Sequence, residues 1–414
     1  MEVNGERLWE RIAVLGEIGG MPDGGVSRLA FSPEDRQAVD IVTGWMREAG
    51  LDVRTDAAGN VFGRREGRES GPVVLAGSHL DSVRSGGKFD GVAGVLAALE
   101  AVQVLYENRV ETKWPIEIAI FVNEEGSRFP GGLMGSLAVA GRLGADMPYQ
   151  VKDDDGVALA SAMESFGAKP DQILAARRPA SDFRAFLELH IEQAPFLEET
   201  DTPVGIVSGI AGPYQMRVRI SGRSGHAGAV PMHLRQDPMA AAGLVIAEVE
   251  RIARETGPTT RGTVGYVRAY PGGHNVIPAE VELTVDIRDI DALQRQRAGE
   301  QIQAYIADTC AKRGLRHHIV VTQDTPPVPA DSGIVGLLEK LAEDLQIPAM
   351  IMPSGAAHDA MVMAGLCPMG MIFVRSKDGL SHCPEEFTAK QDLAMGTQLL
   401  TNALYQLAND SWSK

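Results

Sequence analysis

The stretch "GPVVLAGSHLDSVRSGGKFDGVAGVLAALEAVQVLYEN" occupies residues 71–108, and "PIEIAIFVNEE" follows at 115–125. Residues 71–79 form a short apolar run closed by a histidine, too brief for a helix and rich enough in valine to predict a strand. Residues 91–108 have the length and spacing of a helix, and 115–125 read as a second strand ending in two carboxylates. A strand, a helix and a strand in succession are a unit of an α/β sheet, in which functional groups gather beyond the carboxyl ends of the strands. "AFLELHIEQ" (185–193) and "PMGMIFV" (368–374) are further strand candidates, each close to a histidine.

Between Gly212 and Pro327 the pattern changes. "YQMRVRISG" alternates as a half-buried strand, "DPMAAAGLVIAEVERIARETG" is helical, and "TVGYVRAY" and "EVELTVDIRD" are two strands joined by a turn. A second helix, "ALQRQRAGEQIQAYIADTCAKRG", and a closing strand, "RHHIVVTQ", complete the order βαββαβ of a small ferredoxin-like sandwich. The expected organisation is therefore a discontinuous α/β domain, 1–211 and 328–414, interrupted by an inserted domain, 212–327, with a hinge near Gly212 and Pro327. The larger domain resumes with "SGIVGLLEKLAEDLQI" and ends in an amphipathic helix from Gln391 to Asn409.

Composition agrees with two domains and narrows the partners. At 414 residues the chain exceeds one ordinary core, and its apolar fraction of 44% is that of a globular enzyme. No apolar run approaches the roughly 20 residues that span a bilayer, so no membrane is expected. The acidic, amphipathic N-terminus does not resemble a secretion signal, and three scattered cysteines make no disulfide framework, which predicts a cytoplasmic location. A net charge of -16 without a basic stripe argues against nucleic acid.

His79 ends the first strand, and Asp81 stands where it can orient the ring, the partner that metal-bound histidines usually require. Asp90 returns after the flexible "SGGKF" loop, directly before the helix. The same residues also read as a capped histidine with Asp90 as a helix N-cap. The pair Glu124 and Glu125 alters the balance. On extended backbone two neighbouring side chains diverge, so one can hold a metal while the other faces a water, the division of labour of metal-assisted hydrolysis. A solvated turn is the alternative. His190 and His382 lie on or after strands, where single histidines are commonly satisfied core residues. A carboxylate shared between two ions, each with one histidine and one further ligand, accounts for all five candidates.

Together "SHLDSV", "GGKFDG", "NEEGSRF", "ELHIEQ", "HAGAVPM", "NVIP", "PSGAAHDA" and "GLSHCPEE" resemble the M20 metallopeptidase-related amidohydrolases, in their carbamoylase branch. The resemblance runs in order over nearly the whole chain. The runs "VSGIAG", "YPGGHNVIP" and "MIFVRSKDGLSH" are most similar to the N-carbamoyl-L-amino acid hydrolases of that branch. Allantoate amidohydrolases and β-ureidopropionases are the near alternatives, a dipeptidase or a silent binding protein the remoter ones. The resemblance implies a metallopeptidase-like catalytic domain in which His79 and His190 hold one divalent ion, Glu125 and His382 the other, and Asp90 bridges them. Zinc, manganese, cobalt or nickel would suit such ligands. It makes Glu124 the general base and Asp81 the residue orienting His79. It assigns substrate binding to Gln193, His226, Asn275, Arg288 and the backbone at Gly355 and Ala356, and it implies a homodimer formed through the inserted domain.

The chemistry of a carbamoyl amino acid fits these roles, since its carboxylate needs a cationic clamp and its ureido carbonyl needs electrophilic help. Arg288, expected on an otherwise apolar strand, offers bidentate geometry, or else a surface pair with Asp286 or Asp289. His226 and Asn275 can donate to a developing oxyanion, although His226 also reads as a turn histidine between glycines. Cys383 is expected to pack rather than ligate, His317 and His318 to be solvated, and His358 and Asp359 to make a structural hydrogen bond near the substrate carboxylate.

Overall fold

A computed structural model describes residues 1–409, and the chain divides into two compact units. The first comprises Met1–Ser208, Ala330–Met352 and the chain from His358 onward; the second comprises Gly209–Pro329 with Pro353–Ala357.

The strands of the first part of the chain are β1 (Asp52–Thr55), β2 (Val61–Arg65), β3 (Val73–His79), β4 (Ile116–Phe121), β5 (Phe183–Ile191) and β6 (Val204–Ile210). The inserted part contains β7 (Gly212–Ser221), β8 (Gly225–His226), β9 (Arg261–Tyr270), β10 (Val276–Ile277), β11 (Glu280–Asp289), β12 (Arg316–Asp324) and β13 (Val328–Pro329), and β14 (Ala349–Ser354) and β15 (Met369–Val374) follow.

In the first unit the sheet order is β1-β2-β4-β3-β5-β15-β6, with β14 paired to β6. Its centre, β4-β3-β5-β15, is parallel, and β2 and β6 run antiparallel on either side. Strands β3, β4, β5 and β15 are almost wholly buried, which is why apolar residues predominate on both their faces, with Glu117 in β4 and Glu188 in β5 as buried exceptions. The chain leaves β3 for β4 on one side and later enters β5 on the other. A crevice therefore opens at the carboxyl end of β3, where such sheets place their ligands. The helix Val92–Glu107 packs on this sheet with all of Val92–Val102 buried. Leu96 and Leu99 are fully covered, each burial contributing about 1.5–3 kcal/mol. The helix Lys390–Leu407 packs beside it, as its apolar stripe predicts.

In the second unit β12-β7-β11-β9 form an antiparallel sheet. The helices Pro238–Thr256 and Ala292–Lys312 cover one face, where Val281, Leu283, Val285 and Ile287 of β11 meet Met216, Val218 and Ile220 of β7. Strand β11 alternates strictly, so the expectation of an otherwise apolar strand around Arg288 is corrected: Glu282, Thr284, Asp286 and Arg288 share its polar face. The short strands β8 and β10 pair separately, with His226 opposite Val276.

Candidate metal centre

The parallel strands converge on one point. His79 is the last residue of β3, Phe121 ends β4 beside it in register, and His190 lies at the end of β5. Asp90 follows the loop from β3 and is buried. The helix it precedes takes Gly91 as its N-cap and has no side-chain cap, so the N-cap reading of Asp90 does not hold. Its carboxylate instead points at histidines. Oδ1 is 3.1 Å from His190 Nε2 and 3.5 Å from His79 Nε2, while Oδ2 is 3.4 Å from His382 Nε2. His382 Nε2 also lies 3.5 Å from Glu125 Oε2. Two sets of donors each fall within 4.8 Å of one another, His79 with Asp90 and His190, and Asp90 with Glu125 and His382. Asp90 belongs to both.

Two expectations about local geometry are corrected. Strand β4 stops at Phe121, and Asn123 takes a positive φ of 52°, so Glu124 and Glu125 stand on a tight bend, not on extended backbone. Divergence of the two side chains comes from that bend. The ring of His79 is held through Nδ1 by the main-chain carbonyl of Asp81 at 2.9 Å, whereas the Asp81 carboxylate is 3.8 Å from the ring. That carboxylate accepts instead from the backbone N–H groups of Glu124 and Glu125, at 3.1 and 3.2 Å. Asp81 thus fixes the histidine through its backbone and the two glutamates through its side chain. Glu124 Oε2 comes within 3.6 Å of His79 Nε2 but joins neither donor set.

Electrostatics mark the same place. Burial, helped by Asp359, Glu125 and Asp81, drives the Glu124 carboxyl well above its usual range. Burial and Asp90 push Glu125 up to about 7. Burial works against ionisation of Asp90 too, but His190, His382 and His79 hold it well below the ordinary carboxylate range. A hydrogen bond to Asp90 raises His382 to about 9. Buried carboxylates here outnumber the cations that face them, and Glu125 Oε1 is buried without a hydrogen-bond partner. A mixed histidine and carboxylate set with an unsatisfied oxygen and surplus negative charge fits a divalent cation.

The remaining expected residues fall in two places. Gln193 lies in the metal centre, where its side-chain N–H donates to Asp90 Oδ2 at 2.7 Å. His226, Asn275, Arg288, Gly355 and Ala356 belong to the second unit. His226 and Asn275 are exposed neighbours on the β8–β10 ribbon, where Ala227 N donates to Asn275 O at 2.9 Å. Arg288 donates to Asp286 at 3.1 and 3.2 Å and to the Gly355 carbonyl at 3.0 Å, and Ser354 Oγ donates to Ala356 O. The pair with Asp286 is therefore present, within an open depression of about 620 Å3 that Arg217 and Arg261 also line. Asp289 is buried under Thr259 and Thr260 instead.

His358 and Asp359 are buried, the His358 ring centroid 4.4 Å from that of His190. Glu188, which sequence reasoning passed over, joins His190 and His358 in a third donor group and accepts from Ser78 Oγ and Ala360 N. Its signal was a glutamate two residues from His190 on a strand too apolar to leave it in water. Ser381 and Glu386 were also missed, although both lie within "GLSHCPEE".

Residues 75–406 match the family described as Peptidase family M20/M25/M40, and the chain belongs to that family. It is 48% identical over 408 residues to an N-carbamoyl-L-amino acid amidohydrolase of Geobacillus stearothermophilus, covering 98% of this chain and 99% of that protein. It is 37% identical over 402 residues to an allantoate amidohydrolase of Bacillus subtilis (strain 168), covering 97% of each. The crystal structure of an amidase of the hydantoinase/carbamoylase family from Burkholderia multivorans superposes with a TM-score of 0.94 at 35% identity, over 99% of both chains. Among the described residues no helix is long and apolar enough to cross a membrane.

Proposed function

We propose that the chain hydrolyses the ureido C–N bond of N-carbamoyl-L-amino acids, releasing the L-amino acid, ammonia and carbon dioxide. The observation that carries this reading is the carboxylate of Asp90, one oxygen facing His79 and His190 and the other facing His382. One carboxylate between two donor sets suits two divalent ions, zinc, manganese, cobalt or nickel, held by His79 and His190 on one side, Glu125 and His382 on the other, with Asp90 shared.

When bound, such ions polarise the carbonyl and acidify the attacking water. Glu124, outside both donor sets and with a raised proton affinity, takes the water's proton and passes it to the departing nitrogen. Asp81 holds the bend that aims it. Gln193, His226, Asn275, Arg288, Gly355 and Ala356 are proposed as substrate ligands, Arg288 for the carboxylate and His226 with Asn275 for the developing oxyanion. Residues 212–327 are proposed to form the dimer contact, and the cytoplasm is the proposed compartment.

Allantoate hydrolysis is the second reading, favoured by the 37% match to a protein of that name but at lower identity than the carbamoyl amino acid match. Ammonia release from a panel of N-carbamoyl-L-amino acids, β-ureidopropionate and allantoate, compared by kcat/KM with and without added metal, decides between them. Highest kcat/KM on a carbamoyl amino acid is expected. Highest kcat/KM on allantoate would transfer the assignment, and no turnover on any member would leave a binding protein.

A further inference from the structure

Glu386 is a glutamate only 4% exposed, four residues beyond His382. One carboxylate oxygen, Oε1, accepts the backbone N–H groups of both Phe89 and Asp90, at 2.9 and 3.0 Å. The other, Oε2, lies 2.9 Å from Ser381 Oγ, and that hydroxyl is itself 3.0 Å from Asp90 Oδ2. A ring of contacts therefore runs from the Asp90 backbone through Glu386 and Ser381 back to the Asp90 carboxylate. Residue 87 must be glycine for this to form, because a Cβ there would stand 2.0 Å from Glu386 Oε1.

The two loops joined in this way are almost 300 residues apart in sequence, and each delivers one ligand. Asp90 comes from the first and His382 from the second. In the set His79, His190 and Asp90, two ligands are carried by strands β3 and β5 and stay in place without help from the loops. In the set Asp90, Glu125 and His382, the distance between Asp90 and His382 depends on how the loops are joined. We propose that Glu386 is a positioning residue, a carboxylate clamp that sets the spacing of Asp90 and His382 and so determines the affinity of the second ion in particular. The inference rests on the two-ion reading above.

Packing among Trp9, Phe89 and Phe387, with ring centroids 5.7–6.0 Å apart, holds the same loops by apolar contact, so removal of the carboxylate should leave the chain folded. The test uses equilibrium dialysis of the chelator-stripped full chain against Zn2+ or Mn2+, with thermal melting of the stripped protein alongside. Wild type should bind two ions per chain. Glu386→Ala should bind the first ion normally and the second at least ~10-fold more weakly, the scale expected when a group supporting a metal ligand is lost. Glu386→Gln, which keeps an oxygen for the two N–H groups and an amide for Ser381, should recover to within about 3-fold. Ser381→Ala, which opens the ring while keeping both carboxylates, should weaken the second ion alone. Equal loss of both ions, or wild-type binding of both in Glu386→Ala and Ser381→Ala, would overturn the clamp. Fewer than two ions on the wild type would overturn the two-ion reading, and that outcome is seen before any variant is made.

Discussion

Replacing Gly91 with alanine tests how closely the metal centre depends on one backbone position. Gly91 has φ 63° and ψ -46°, and the Asp90 carbonyl accepts the Val92 N–H across it at 2.6 Å, which makes it the centre of a γ-turn. A side chain in that conformation costs about 1–3 kcal/mol. The new methyl would also meet the His79 ring, 2.4 Å from Cε1 and 2.5 Å from both nitrogens. Ordinary contact needs about 3.5 Å, so the imidazole must move by ~1 Å or the helix start must shift. Overpacking of that size adds roughly 1–3 kcal/mol, giving about 2–6 kcal/mol in all. Metal ligands tolerate displacements of only about 0.2 Å, so the set of His79, His190 and Asp90 should fail as a site before the fold does.

Metal content after dialysis and thermal melting of stripped and loaded protein measure both effects. Gly91→Ala should lose the ion assigned to His79, His190 and Asp90 and most of the stabilisation that added metal confers. Gly24→Ala is the control, since Gly24 has φ 89° but nothing within 4 Å of a new Cβ. It should lower the melting point modestly and leave metal binding intact. Wild-type metal content in Gly91→Ala, with an unchanged stripped melting point, would refute the reasoning.

Glu124→Gln should reduce turnover by at least ~100-fold, with metal content little changed; loss of metal instead would exchange the roles of Glu124 and Glu125. Arg288→Lys keeps the charge but loses the planar fork that now engages Asp286 and Gly355, so KM for carbamoyl amino acids should rise with metal content unaffected, and unchanged kinetics across the panel would place Arg288 outside the substrate site. Melting of the stripped protein should fall as pH rises from 5 to 8. Burial raises Glu125 to about 7 and Asp359 to about 8 in the folded chain, above their values unfolded, so their contribution is complete below about pH 4 and is lost on passing those values. Asp90, held low, acts in the opposite sense and only at more acidic pH. Saturating metal should flatten the slope, and a stripped melting point that climbs over this range would contradict the charge assignment.

Much of this architecture was legible because burial leaves a plain trace. Strands buried on both faces are rich in apolar residues, so β3, β4, β5 and β15 stood out, and the histidines and acids at their ends were conspicuous against that background. In the second unit the alternation of β7 reported one covered face and one open face, whereas β11, expected to be apolar around Arg288, proves to alternate in the same way. The short strands β1 and β2 and the helix Pro33–Glu48 were not recovered. Their identity depends on pairing with β4 and packing against the sheet, contacts that a local window does not contain.

The details that escaped the sequence share one physical cause. Gly91, Asn123, Gln193 and His382 all have positive φ, at 63°, 52°, 59° and 57°, and all four stand at the metal centre. Strand periodicity predicts where a side chain points only while the backbone stays extended, and at each of these residues it does not. Three of the four are not glycine, so each conformation costs about 1–3 kcal/mol that the surrounding contacts must offset. The contacts are on hand: Asp81 receives both N–H groups after Asn123, Ser381 Oγ accepts from Gln193, and Glu386 anchors the loops before Gly91 and around His382. The same bends that remove Glu124 and Glu125 from the strand and bring the half-exposed His382 up to Asp90 place two donor sets around that one carboxylate. A chain that followed its strands to their ideal ends would keep every candidate residue and lose the arrangement, which is why motif spacing points to the candidate donors while only the backbone geometry explains how Asp90 comes to face both sets.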